Sequence, residues 1–518
     1  MKVLSKKIWA VALFLLLIVI GCQNQSEKDS QTLHLNFQEG DVPTLHPHLL
    51  EGHMRGRILG KALFEGLTRI NSKGEAEFAG AESVEISSSK TEYTFILRDN
   101  KWSDGSAVTA FQYEKAWKQA IAPSSDCRWA DLFYVIKGAE KAKKRTLPLS
   151  EVGIKALDEK TLFVELAFPT PYFLKLIASP LFAPVIREET EPARFNGPFK
   201  LGKWKKNDLL VLKANPFFWD SDKVSLREIE IQMVDDPHTS FLMYEKQNID
   251  WIGNPFCNLT SEMVIQLQGK GELQAKSVAR TLWVYINTSH PLLSTSKIRQ
   301  ALSLSIDRSL IAKHIYPGNS PLYQPLPLCL SLCPNLFSDN NLKQAKRLFE
   351  EGLKEIKSTR EEFPILTLSY PNTIGRKSLA EYLKETWEKT FGIQVHLEGM
   401  EWNVFLSDLE KGAFQIGMSS ASALYPDPSE LLERFISIKA SNFSQWVHPV
   451  YQEKLKLAKK FPDQRRRYLR EAEELLFEQM PFIPVYNYNA LYVHNPRLKG
   501  YVLDHNGCVD FRWAYFED

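Results

Sequence analysis

Ala421-Ser-Ala-Leu-Tyr-Pro-Asp-Pro-Ser-Glu430 sets two carboxylates, Asp427 and Glu430, among turn-forming residues directly ahead of an apolar run. Acids at this spacing can do general acid chemistry or cap a helix, and the prolines decide between the two. With Pro428 at the first helical position, Asp427 is read as a helix N-cap and Glu430 as its capping-box partner, satisfying amides that a first turn leaves orphaned. A second candidate is the histidine group His34, His46, His48 and His53, since neutral imidazoles ligate metals, but none stands at helical i, i+4 spacing to another. No metal site is expected. Cys329 and Cys333 form the one close cysteine pair, able to make a disulfide but without the second Cys or His pair that zinc requires. Ser294-Thr-Ser-Lys297 and Ser338-Asp-Asn340 match two thirds of a serine-hydrolase set, and no Lys-Thr-Gly completes it. No Gly-x-Ser-x-Gly, Walker loop or His-Glu-x-x-His occurs, so no catalytic residue and no cofactor is assigned.

The elements that must position these residues belong to more than one core, because a chain of 518 residues exceeds what a single core fills. Leu33, Leu35 and Phe37 alternate as a strand, as do Tyr93–Leu97, Leu209–Leu212, Ile229–Met233, Leu282–Ile286 and Ile393–Leu397. Helices are expected over Val108–Ala122, Lys297–Lys313 and Asn341–Leu353, and along the stripe Leu379, Leu383, Trp387 and Phe391. Strands and helices alternate in both halves, which predicts α/β lobes. Twelve Trp and eighteen Tyr suit either a large core or a ligand cleft. The formal charge of +2 becomes 61 basic against 62 acidic residues once residues 1–21 are removed, a balance that argues against a nucleic-acid surface.

Those first 21 residues read as an export signal. Lys2, Lys6 and Lys7 precede thirteen apolar residues from Ile8 to Ile20, too few to span a bilayer. Val19-Ile-Gly-Cys22 resembles the bacterial lipoprotein signal, which implies lipidation of Cys22 and a membrane anchor, with polar residues 22–31 as tether. The five remaining cysteines cannot all pair.

An ordered series of segments resembles the oligopeptide- and dipeptide-binding proteins of bacterial ABC importers. It runs from Leu63-Phe-Glu-Gly-Leu67 through Phe95-Ile-Leu-Arg-Asp-Asn-Lys-Trp-Ser-Asp-Gly105, Gly197-Pro-Phe199 and Asn215-Pro-Phe-Phe-Trp219. Ile298-Arg-Gln-Ala-Leu302, Ile306-Asp-Arg308, Pro484-Val-Tyr486 and Gly500-Tyr501 complete it. The resemblance implies a two-lobed periplasmic-binding-protein-like α/β fold with a hinge-closing cleft. Lobe I would comprise 32–75, 193–290 and 488–518, an extra subdomain 76–192, and lobe II 291–487. It also implies a monomer that binds a peptide by its main chain and hands it to permease subunits.

The family's oligopeptide branch places an Asp before the Tyr of the 424–425 segment to meet the ligand's α-ammonium; here that position is Leu424, followed by Tyr425. Ungapped alignment from Trp402 puts Leu409 and Met418 where the family has arginines for ligand carboxylates, and Gly56 where some members have an early acid. Trp402, Leu409, Met418, Leu424, Tyr425, Trp129 and Gly56 are therefore the cleft candidates. Enclosing a charge without its partner costs roughly 3–5 kcal/mol, so the expected ligand is a peptide-like one with an unusual amino end, of the γ-linked, glutathione-like or cell-wall-fragment kind, with an ordinary peptide anchored from another strand as the alternative. The alternatives are a metal-chelate or haem carrier on the same scaffold, drawing on His46, His48 and His53, and an exported enzyme or chaperone using the cleft.

Overall fold

A computed structural model describes residues 31–518 except 39, 51–53, 189–190, 193, 335, 337–338 and 439–440. Residues 1–21, expected as an export signal, Cys22 with most of its expected tether, and His53 lie outside the described residues.

Leu33, Leu35 and Phe37 turn inward from the strand Thr32–Phe37, which pairs in parallel with Glu228–Met233. Leu209–Ala214 and Phe199–Lys205 extend that sheet antiparallel to four strands. Its core also takes Trp251 and residues from the C-terminal segment, Leu503 and Phe511 among them. A second four-stranded antiparallel sheet, in the order Ala81–Ile86, Glu92–Leu97, Thr161–Glu165, Ile154–Ala156, belongs to a separate core. The helix Ala110–Ala120 buries Tyr113 and Trp117 in that core, and Thr109 and Gln112 form a capping box at its start.

The largest sheet is mixed. Leu366–Pro371 runs parallel to Val395–Met400 and to Ile416–Ser422, and the helix Ile374–Phe391 between them buries Leu379, Leu383, Trp387 and Phe391. Two thirteen-residue antiparallel strands, Gln274–Ile286 and Phe482–His494, leave this sheet and reach Trp251–Gly253 beside the first core. Their pairing breaks between Ser277 and Thr281, where the buried Asn487 amide donates to Ser277 Oγ (3.0 Å) and to the carbonyl of Val278 (3.3 Å). The molecule is thus an α/β protein of two lobes joined by crossover strands, the smaller antiparallel sheet attached to the first.

Two expectations change in detail. The helix expected over Lys297–Lys313 is broken: Ser296–Leu304 ends, and Asp307 caps a new turn by accepting from the Leu310 amide (2.8 Å). Ser305 Oγ meanwhile donates back to the Leu302 carbonyl (2.9 Å), closing the first helix. The strand expected from Ile393 starts at Val395, because Gly392 ends the preceding helix at φ 72° and the ladder begins with Leu366 opposite Val395. Cys329 and Cys333 are free thiols, Cys329 facing out and Cys333 inward, so no disulfide joins them.

Buried guanidiniums tie the helices to the crossover strands. Arg299, 2% exposed, donates to the carbonyls of Leu293 (2.7 Å), Ser294 (2.7 Å), Gln479 (2.6 Å) and Met480 (3.1 Å). Arg308 donates to the carbonyl of Pro484 (2.7 Å) and pairs with Asp339 (2.8 Å). Replacing Arg299 by Leu orphans four carbonyls and is expected to cost on the order of 3–5 kcal/mol, read as a lowered urea midpoint; a loss under about 1 kcal/mol would count against this anchoring role.

Candidate functional site

At the end of strand Ile416–Ser422 the chain passes from lobe II toward lobe I. The Ala423 amide donates to the Ala279 carbonyl (2.9 Å), so the last sheet contact lies one residue before Leu424. Tyr425 then stacks on Tyr172 of the smaller antiparallel unit, ring centroids 4.5 Å apart and 14° from parallel. Leu424 packs against the same apolar core. From the C-terminal segment, His505 Nε2 approaches the Leu424 carbonyl at 3.4 Å. Three separately folded parts of the chain therefore meet at Leu424-Tyr425. The cavity left at this seam is about 40 Å³, with Arg57, Lys61, Leu176 and Asp504 also on its wall. That space holds about three waters and is too small for a peptide residue.

The acids around the seam are already engaged. Asp427 caps the helix Pro428–Leu432 by accepting from the Ser429 amide (2.9 Å), and Arg465 grips both its oxygens at 2.6 and 3.0 Å. The cap expected at Asp427 is present; the capping box is not. Glu430 turns away to pair with Arg434 (2.9 Å), which also donates to the Ser422 carbonyl (2.7 Å). Burial pushes the Glu430 carboxyl up, and Arg434 opposes it. Asp504 accepts from Lys61 Nζ at 2.6 Å. Its carboxyl is held well below the usual range by Lys61 and His505, against burial. His505 is pushed down to about 4 by burial, with Lys61 and Arg57 acting in the same direction and Asp504 opposing.

Of the sequence candidates the structure sets Leu424, Tyr425 and Trp129 against one apolar core and places the other four elsewhere. Leu409 and Met418, expected in the cleft wall, are fully buried in lobe II. Leu409 sits on the inward face of helix Trp402–Lys411, close over Gly417, and Met418 lies opposite Val284 in the sheet, where apolar side chains belong. Gly56 is buried in helix Met54–Leu63 with no room for a side chain, because an added Cβ would strike the Leu50 carbonyl. Trp402 is 48% exposed at the start of its helix, and Trp129 lies half-buried against the core of the smaller unit.

His48 is buried and pushed down to about 3 by burial and by His46, whose ring centroid is 5.0 Å away, so it is neutral at physiological pH. Among the described residues no three His, Cys, Asp or Glu side chains gather around a metal-sized space. Tyr172, Lys61, Asp504 and His505 were not singled out from sequence. The run Asp504-His-Asn-Gly507 signals a tight turn, but its approach to residue 424 is a product of the fold.

Residues 77–443 match the family model described as bacterial extracellular solute-binding proteins, family 5 middle. The oligopeptide-binding protein OppA of Bacillus subtilis is 33% identical over 99% of this chain and 100% of its own length. The dipeptide-binding protein DppE of the same organism is 30% identical, covering 98% and 99% respectively. Among solved structures, the Escherichia coli murein tripeptide binding protein MppA superposes with a TM-score of 0.76 at 26% identity, over 95% of this chain and 99% of that one. A two-lobed fold with a seam at the crossover strands, matched along nearly its whole length, places this chain in the bacterial extracellular solute-binding protein family 5.

Proposed function

We propose that this chain is the substrate-binding lipoprotein of an ABC importer, anchored through Cys22, which captures peptide-like ligands lacking an ordinary free α-ammonium at the Leu424 position and presents them to permease subunits. The single observation that carries the ligand class is that Leu424 occupies the seam while Asp427, Glu430 and Asp504 are each engaged by a cation of their own. An ammonium enclosed there would have to share a carboxylate that already holds a cation or go without a partner, the latter at roughly 3–5 kcal/mol. Relatives named for oligopeptide, dipeptide and murein tripeptide binding support the peptide class. Lobes I and II hinge on the crossover strands, and binding needs no catalytic group.

Calorimetric titration with trialanine and with N-acetyl-trialanine tests this reading: the N-acetylated peptide is expected to bind and trialanine to bind at least about a hundredfold more weakly. Tight trialanine binding would remove the case for an unusual amino end. In the Leu424→Asp variant trialanine affinity should rise by about two powers of ten, restoring the partner that the position lacks.

Stability is expected to be pH-dependent through His505. Its ordinary value is 6.5 and the folded value about 4, so its contribution to stability is complete above about pH 6.5 and declines as pH falls toward 4. Melting temperature should be level from pH 7 to 8 and drop across that acid window, His48 supplying part of the drop. A His505→Gln variant with the same pH slope as the parent would show that His505 takes no part.

A further inference from the structure

The small cavity at the seam is charged on one side. Arg57 and Lys61 stand one turn apart on helix Met54–Leu63, and Lys175 comes from the short helix Phe173–Leu176 of the smaller antiparallel unit; all three line the cavity. Among the described residues Asp504 is the one carboxylate on that wall, and Lys61 already holds one of its oxygens at 2.6 Å. The other oxygen accepts from the amides of Asn506 (2.8 Å) and Cys508 (3.0 Å), so this acid belongs to the turn that carries it. Three cations against one acid leave the wall positive. A fourth cation stands behind it: Lys276, on a crossover strand, donates to the carbonyl of Leu503, next to Asp504.

The excess is felt by the groups around it. Burial lowers the Lys276 ammonium, with Lys61 adding to the effect and Asp504 opposing it. Burial lowers His505 as well, and Lys61 and Arg57 push it further in that direction. Leu132, Leu176, Pro180 and Leu424 close the rest of the cavity with apolar surface, which screens charge poorly. Cations held against such a wall cost free energy until a counterion joins them. The three come from two parts of the fold, and two of them are lysines, point charges with no preferred plane. That set suits a compact anion presenting oxygens in several directions better than a planar carboxylate, which matches the fork of one guanidinium. Room for about three waters is room for one such ion.

We infer that Arg57, Lys61 and Lys175 form a binding site at the seam for a compact tetrahedral oxyanion of the phosphate class. The ion ties the first-lobe helix to the smaller unit beside the Leu424 segment, and its charge is spent on the cations that hold it. It enters as the free ion or as a phosphoryl group carried by a guest; the chemistry is shared, and the two arms of the test separate the sources. The first arm involves no peptide, so the site stands or falls apart from the ligand reading above.

In the first arm the full chain is dialysed to equilibrium against radiolabelled inorganic phosphate at fixed ionic strength. One phosphate per chain is expected to be retained, displaced by sulfate and not by an equal concentration of chloride. Arg57→Gln and Lys175→Gln should each weaken retention by about tenfold or more, whereas Lys115→Gln, exposed on helix Ala110–Ala120, should leave it within about twofold. Arg57 and Lys175 are only half-buried and come from separate elements, so one variant reports on the site even if the other folds poorly. In the second arm N-acetyl-phosphoseryl-dialanine is compared with N-acetyl-seryl-dialanine by calorimetry. A preference of about tenfold for the phosphorylated peptide, lost in Lys175→Gln, with little retention of the free ion, assigns the guest-borne source. Retention of the free ion without that preference assigns the free one. Phosphate held equally by the parent and both seam variants, or neither phosphate retention nor a phosphoryl preference, overturns the site and leaves the peptide reading as it was.

Discussion

Two antiparallel strands carry the chain between the lobes, and the placement of every other group at the seam follows from them. Gln274–Ile286 and Phe482–His494 pair at one end beside Trp251–Gly253 and at the other within the largest sheet. Regular pairing along all thirteen residues would make them a stiff ribbon. The interruption between Ser277 and Thr281 removes ladder bonds where the two cores part, and the Asn487 amide replaces them with side-chain bonds. A local break of this kind lets φ and ψ change at a few residues while both flanking ladders stay intact. The first of these strands carries Lys276 and pairs with the strand leading to Leu424, so the seam and the ribbon are one construction.

The family-like segments prove to be fixings between parts of the fold. Arg98 lies 3.7 Å over the ring of Trp219, uniting two of the segments, and Trp102 is fully buried with its indole nitrogen donating to Gln112 (3.0 Å). Glu65 binds Arg512 at 2.6 Å across more than four hundred residues of sequence. Gly197 packs so closely on the backbone of Leu63 and Phe64 that no Cβ would fit. Arg299 and Arg308 hold helices to the strand around Pro484 and to the turn before it. The Glu65–Arg512 pair and the Arg299 and Arg308 bonds are buried and polar, the kind that tolerates few replacements.

This division explains what could be read from the sequence. Alternation at Leu33, Leu35 and Phe37 and the stripe from Leu379 to Phe391 announced their elements because burial of one face dictates the period. Asp427 announced its cap because the signal is local, whereas the arginine that grips it comes from residue 465 and left no trace nearby. Leu409 and Met418 were placed in the cleft by matching positions to charged residues of the family. An apolar side chain at such a position turns into the nearest core, so the match conveyed an absence and not a contact. The pairing of Tyr172 with Tyr425 and the approach of His505 to Leu424 depend on how separate cores meet, which no short window of sequence encodes.

The three occupied acids have one more consequence. Asp427, Glu430 and Asp504 serve the scaffold, and Leu424 between them serves none of its ion pairs. Under the proposed function, a change of ligand preference at that position would leave these three ion pairs standing, so a lineage could exchange one diet for another without first rebuilding them.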